Sequence, residues 1–156
     1  MLKRDAIKMT DDEMRVFVRA HRTVILSCNG AEGYPLSTPM WYAIDKDGAF
    51  CMATFRKSLK VKNIERDNKV SLLVESGVKY AELKGVLTYS NAELITDLDR
   101  VTDTLIAIAG TDPLTAGADP GSLREALQAK AAKRVLIYCK PIKVVTWDHA
   151  KLAGGY

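Results

Sequence analysis

The chain is predicted to be a mainly β (α+β) domain in which at least six strands, mostly antiparallel, close on themselves, with short helices at the periphery. Three observations lead there. Apolar stretches rich in Val, Ile, Leu, Tyr and Thr recur along the chain, most of them short enough to be strands. Several are separated by tight-turn signals, Asn29-Gly30, Gly33 and Asp47-Gly48. Helical patterning is confined to brief segments. Closure into a barrel removes the exposed edges that so many strands would otherwise present.

The elements follow in order. Thr10 and Glu13 bracket a capping box, which predicts a helix over about 11–21. Thr23–Cys28 is a strand, and a second runs from about Leu36 to Ile44. Asp47-Gly48 turns the chain into a third over Ala49–Thr54, so the three read as an antiparallel meander. Ser58 caps a short helix to Arg66, which Asp67-Asn68 ends. Val70–Val74 and Tyr80–Tyr89 are further strands, with Gly85 suggesting a bulge or a barrel bend, and Ala92–Ile95 continues the sheet. Asp97 caps a helix over Leu98–Ala109. Thr111–Gly117 has loop composition, and Asp119-Pro120 opens a second helix to about Lys133. Val135–Cys139 and Ile142–Trp147 close the chain, with a bulge or a corner at Pro141. Gly154–Tyr156 is expected to be frayed or held by a partner.

At 156 residues, 47% hydrophobic and 27% charged, the chain is one domain (residues 1–156) with room for a core. Its net charge of +4 permits an anionic ligand without demanding nucleic acid. No run approaches the roughly 20 apolar residues that span a bilayer. The charged start Lys3-Arg4-Asp5 is not a secretion signal, so a soluble, cytoplasmic protein is expected. Cys28, Cys51 and Cys139 are widely spaced without a CxxC pair, which predicts buried reduced thiols rather than a metal or redox site. His21 and His149 are lone histidines and no metal site is assigned. No GxSxG or HExxH motif is present, so no side chain is nominated as a catalytic acid, base or nucleophile.

The chemistry concentrates after the third strand. Between Arg56 and Arg66 stand five basic residues opposed by Glu65 alone, and Ser58 marks a helix start. Outward-pointing N–H groups and the helix dipole favour a phosphate there. Lys60 and Lys62 are placed to neutralise it, although by default they are a solvated helix face. Just upstream, Pro39-Met40-Trp41 offers an apolar and aromatic surface for a flat ring, although Trp41 and Trp147 are equally readable as core aromatics. Phe55 is the only aromatic inside the basic cluster, too few for a nucleic-acid stacking surface.

These residues resemble the pyridoxamine 5'-phosphate oxidase-like split-barrel family. The likeness is carried by Gly33 to Tyr42, Asp47-Gly48, Thr54, Ser58 to Ile64, Asp67 and Val70 to Leu72, then by Gly85, Ala92 to Leu94, Arg134-Val135, Pro141 to Val144 and Trp147, over roughly residues 12–150. The resemblance implies a six-stranded antiparallel split barrel and a homodimer with FMN or F420 (a deazaflavin) bound at the interface. It implies that Pro39, Met40 and Trp41 lie along the ring and that Thr54, Ser58 and Lys60, with Lys57 and Lys62 nearby, hold the phosphate. It also implies that Tyr80 and Trp147 come from the second subunit. The family's Arg-rich C-terminal signature is absent, since the chain ends Lys151 to Tyr156, so vitamin B6 oxidation is not expected. Arg56 and Lys57 tilt the cofactor toward F420, whose tail is polyanionic. The expected activity is hydride transfer between the bound cofactor and a small molecule. A cofactor-storing protein without turnover and a haem-binding split barrel remain as alternatives. The 97–133 insertion is expected to cover the pocket or extend the interface.

Overall fold

Alternation of buried and outward residues builds the strands: Val24, Leu26 and Cys28 face inward on one, Val70, Leu72 and Val74 on another. In the computed structural model, which describes residues 3–112, 115 and 117–152, nine strands form two antiparallel sheets among the described residues. The larger sheet has the order β2-β1-β5-β6-β9, with β1 Thr23–Asn29, β2 Pro35–Trp41, β5 Lys69–Ser76, β6 Lys84–Asn91 and β9 Lys143–Asp148. The smaller has the order β3-β4-β8-β7, with β3 Ala43–Ile44, β4 Phe50–Phe55, β7 Glu93–Ile95 and β8 Arg134–Cys139. Leu26, Leu72, Val74 and Val86 from the first meet Phe50, Met52 and Ile137 from the second in one core.

Among the described residues five α-helices surround the sheets: α1 Lys3–Ala6, α2 Asp11–Ala20, α3 Leu59–Arg66, α4 Leu98–Gly110 and α5 Pro120–Ala131. The capping box at α2 is complete: the Glu13 N–H donates to Thr10 Oγ1 at 3.2 Å, and the Thr10 N–H to Glu13 Oε2 at 2.7 Å. Lys151 Nζ reaches the same carboxylate at 2.5 Å and holds Glu13 below the usual carboxylate range. α4 and α5 form a hairpin over the outer face of the smaller sheet. Neighbouring residues of one strand therefore serve two layers, Met52 and Ile137 the barrel core, Cys51 and Leu136 the hairpin contact with Val101 and Ala131. Arg124 of α5 clamps the hairpin by pairing with Asp99 at 3.0 Å and Asp103 at 2.7 Å.

Five expectations are corrected. The strand read as Leu36–Ile44 is two, because the chain turns a corner at Tyr42 and β3 enters the other sheet. Tyr42 is buried there, its hydroxyl donating to Val18 O at 2.5 Å. The three-strand meander is thus a β1–β2 hairpin in one sheet and a β3–β4 hairpin in the other. The count of six strands becomes nine in two sheets. Tyr80–Glu82 is a single 3-10 turn rather than the start of a strand, and β6 begins at Lys84. Gly85 marks no bulge, since its pairing runs on through Glu75 and Trp147. It is glycine because the Trp147 ring lies where its Cβ would be, only 2.0 Å from Cζ2. The corner at Pro141 is as expected, linking β8 of one sheet to β9 of the other. The expectation for Gly154–Tyr156 lies outside the described residues. No helix among those described is long and apolar enough to cross a membrane.

Candidate functional site

β4 ends where α3 begins, and this junction is held rigidly. Val61 and Ile64 are buried, and Asn63, only 2% exposed, sends its amide toward Cys28 Sγ at 3.7 Å. Arg66 Nη2 donates to Asn29 O at 2.5 Å, tying the far end of α3 to β1. The first turn of α3 is thereby fixed beside β4.

Ser58 has the extended backbone of an N-cap, φ −69° and ψ 151°, and its carbonyl accepts from the Val61 and Lys62 N–H groups at 3.1 and 3.3 Å. Its side chain, however, does not cap the helix. The hydroxyl is buried and has no hydrogen-bond partner, which corrects the expectation of a capping serine. A buried hydroxyl without a partner costs free energy. Here it sits at a helix start beside a lysine, where an anion would supply the missing acceptor. Lys60, half-buried, points its ammonium at Thr54 Oγ1 of β4, 3.5 Å away, and Thr54 is buried. The structure thus brings Lys60 to Thr54, with Ser58 two residues earlier at the helix start. Lys57 and Lys62 are exposed nearby. Arg56 is committed elsewhere: its Nε donates to Arg134 O at 2.9 Å, so it secures β8.

Pro39, Met40, Trp41 and Thr54 line one cavity of about 550 Å³, with Phe55 beside them. The α4–α5 hairpin contributes Leu105, Ile108 and Leu127 to the lining of the same cavity. Trp41 is 57% exposed toward this space and carries the Arg22 guanidinium 5.1 Å from its ring centre. Sequence reasoning missed Arg22, Lys130 and Arg134, which also line the cavity. No local signal marks them, because packing across the fold brings them to β2 and β4.

Tyr80 and Trp147 lie elsewhere in the chain. Tyr80 stacks on His149, ring centres 4.5 Å apart, and Trp147 covers Gly85 of β6 from its place on β9. That strand is the edge of the larger sheet opposite β2, four strand spacings or roughly 19 Å away. His21 and His149 both serve the fold, their Nδ1 atoms 2.7 Å from Phe17 O and 2.9 Å from Tyr80 O respectively, and neither lines the cavity. The three cysteines are free and buried. Burial pushes the Cys51 thiol up to about 11 and that of Cys139 to about 12.

One apolar feature lies outside the core. Pro39, Ile25, Leu73, Leu87 and Val145 are register partners across all five strands of the larger sheet. Each alternates with a residue facing the barrel, so the five form a continuous outward row that starts beside the cavity.

The sequence model described as pyridoxamine 5'-phosphate oxidase matches residues 10–147. Among solved structures, the conserved hypothetical protein Rv2991 from Mycobacterium tuberculosis superposes with a TM-score of 0.88 at 29% identity, covering 98% of this chain and 93% of its own. An FAD-binding protein from Mesorhizobium loti has a TM-score of 0.60 at 17% identity, covering 89% of this chain and 93% of that one. An F420 reductase has a TM-score of 0.56 at 17% identity, covering 83% and 94%. These last two likenesses are of fold alone. No curated protein matches the chain.

Proposed function

This chain belongs to the pyridoxamine 5'-phosphate oxidase family, and from that premise we propose that it is an oxidoreductase using FMN or F420 to exchange hydride with a small molecule. The observation that carries the reading is the buried, unpartnered Ser58 hydroxyl at the start of α3, two residues before Lys60; Lys60 reaches Thr54, and Thr54 in turn lines the Trp41 cavity, although Ser58 and Lys60 do not. The phosphate of the cofactor is held by Thr54, Ser58 and Lys60, with Lys57 and Lys62 adding charge. The tricyclic ring lies along Pro39, Met40 and Trp41. When bound, such a cofactor supplies hydride chemistry, and the protein supplies binding, orientation and exclusion of water. Trp41 and the apolar residues of α4 and α5 exclude water, and the first turn of α3 fixes the anion.

The protein works as a homodimer joined through the row Pro39–Ile25–Leu73–Leu87–Val145. Large apolar residues repeated across a whole sheet and facing outward are what a partner surface requires. The row runs from the β2 cavity edge to β9, so Trp147, and Tyr80 at the same edge, belong to the site of a second copy. With Arg56 engaged by β8, Lys57 alone remains of the two cations expected to favour F420. The choice between FMN and F420 therefore rests on measurement.

Turnover tests the reading. Reduced F420 and reduced FMN, each mixed anaerobically with the protein and a panel of quinones, nitroarenes and enones, should be reoxidised faster than without protein in at least one combination. Tight binding with no acceleration by any acceptor would instead favour a storage protein.

A further inference from the structure

Arg22 stands just before β1 at the wall of the cavity, and its Nε and Nη2 are closed off from solvent and donate no hydrogen bond. The anion opposite is Asp112, whose Oδ2 lies 3.4 Å from Nη2, a charge contact without the alignment of a hydrogen bond. An arginine keeps its proton, so an enclosed Nε without an acceptor, beside an Nη2 that has only the ion pair with Asp112, calls for a better-aligned acceptor. Nε and Nη2 form one edge of the guanidinium, and that edge matches the two oxygens of a carboxylate. Around the same cavity Lys130 and Arg134 add positive charge, against Asp112 alone as a carboxylate. Arg134 is already used, donating to Lys130 O at 2.9 Å and lying 4.4 Å over the Phe55 ring. Beside Thr115, the hairpin lines this end with the apolar residues Leu105, Ile108, Ala109 and Leu127.

We propose that this end of the cavity receives a substrate bearing a carboxylate beside an apolar ring, with the Arg22 fork as the carboxylate receptor. The incoming group takes the place that Asp112 now holds, and Lys130 reinforces it. The inference rests on the oxidoreductase reading, in which the neighbouring Pro39–Trp41 strand carries the ring of the cofactor. A cofactor with its own carboxylates presents the same chemistry, so the test separates the two sources.

The probes are 2-naphthoate and its neutral analogue 2-naphthamide, titrated calorimetrically into the protein with and without FMN or F420. Wild-type protein should bind the carboxylate roughly 10- to 100-fold more tightly than the amide, the range for charge-assisted hydrogen bonds. Arg22→Met should abolish that preference while leaving the amide affinity unchanged. Arg22→Lys, which keeps charge but loses the fork, should fall between, and it carries the test with the wild-type comparison if Arg22→Met does not fold. Lys60→Ala should weaken the cofactor and leave the naphthoate preference intact, so failure of the cofactor site is read separately. Equal binding of the two probes by wild-type protein overturns the proposal. A preference that survives in Arg22→Met also overturns it, as does loss of F420 affinity in that variant with the naphthoate preference unchanged, which would assign Arg22 to the tail of the cofactor.

Discussion

At the scale of single residues, Ser58 separates binding from stability. Its hydroxyl is buried without a partner, so Ser58→Ala should leave the melting temperature of the cofactor-free protein unchanged or raised while weakening cofactor binding. A residue that merely supports the fold would lower both. Melting curves with and without cofactor give the answer. The cysteines make a prediction about pH. Burial holds Cys51 at about 11 and Cys139 at about 12, above the ordinary thiol range, so the fold favours their neutral forms. Raising pH through that ordinary range ionises the unfolded chain first and costs the native state stability. At pH 8 both thiols should resist iodoacetamide in native protein and react once it is denatured, as mass spectrometry would show. Residue-level roles were legible where they are local. Thr54, Ser58 and Lys60 lie within seven positions of one another, and a strand-to-helix junction brings such neighbours together. Arg22 was not legible, because its value comes from Trp41 and from a hairpin far along the chain.

At the scale of elements, β6 and β9 depend on one close approach. A Cβ at Gly85 would lie 2.0 Å from the Trp147 ring. Gly85→Ala should therefore destabilise the protein by about 1–3 kcal/mol, the usual cost of overpacking. The double variant Gly85→Ala with Trp147→Ala should recover part of this, a coupling that a thermal-denaturation double-mutant cycle measures. Additive losses would show that Trp147 does not set the requirement for glycine. Most elements were readable because their signals are local: the Thr10–Glu13 box, the Asp47-Gly48 turn, Pro141 between sheets. The break at Tyr42 was not. Tyrosine suits a strand, and only its burial under α2, with its hydroxyl on Val18 O, reveals that the chain changes sheets there. The 3-10 turn at Tyr80 likewise depends on His149, distant in sequence.

At the scale of the whole molecule, the outward row on the larger sheet is the proposed seat of assembly. Leu73→Glu places a charge at the middle of that row, between Ile25 and Leu87, and should convert a dimer to a monomer in light scattering. If Trp147 and Tyr80 complete the site of a second copy, the same variant should also lose cofactor affinity although its own Thr54, Ser58 and Lys60 are intact. The barrel class, and a helical insertion whose residues reach the cavity, could be read from the chain. The assignment of Tyr80 and Trp147 to a second copy came from the resemblance alone, because contacts between chains leave no local pattern in one sequence. The most direct test of the central claim is a fluorescence and absorbance titration of cofactor-stripped protein with FMN and F420, for wild type and Lys60→Ala together. The account predicts saturable binding of one cofactor per chain and a loss of roughly 1.5–3 kcal/mol in the variant, the range for a charge-assisted contact. Equal affinity in wild type and Lys60→Ala, or no binding of either cofactor, would contradict it.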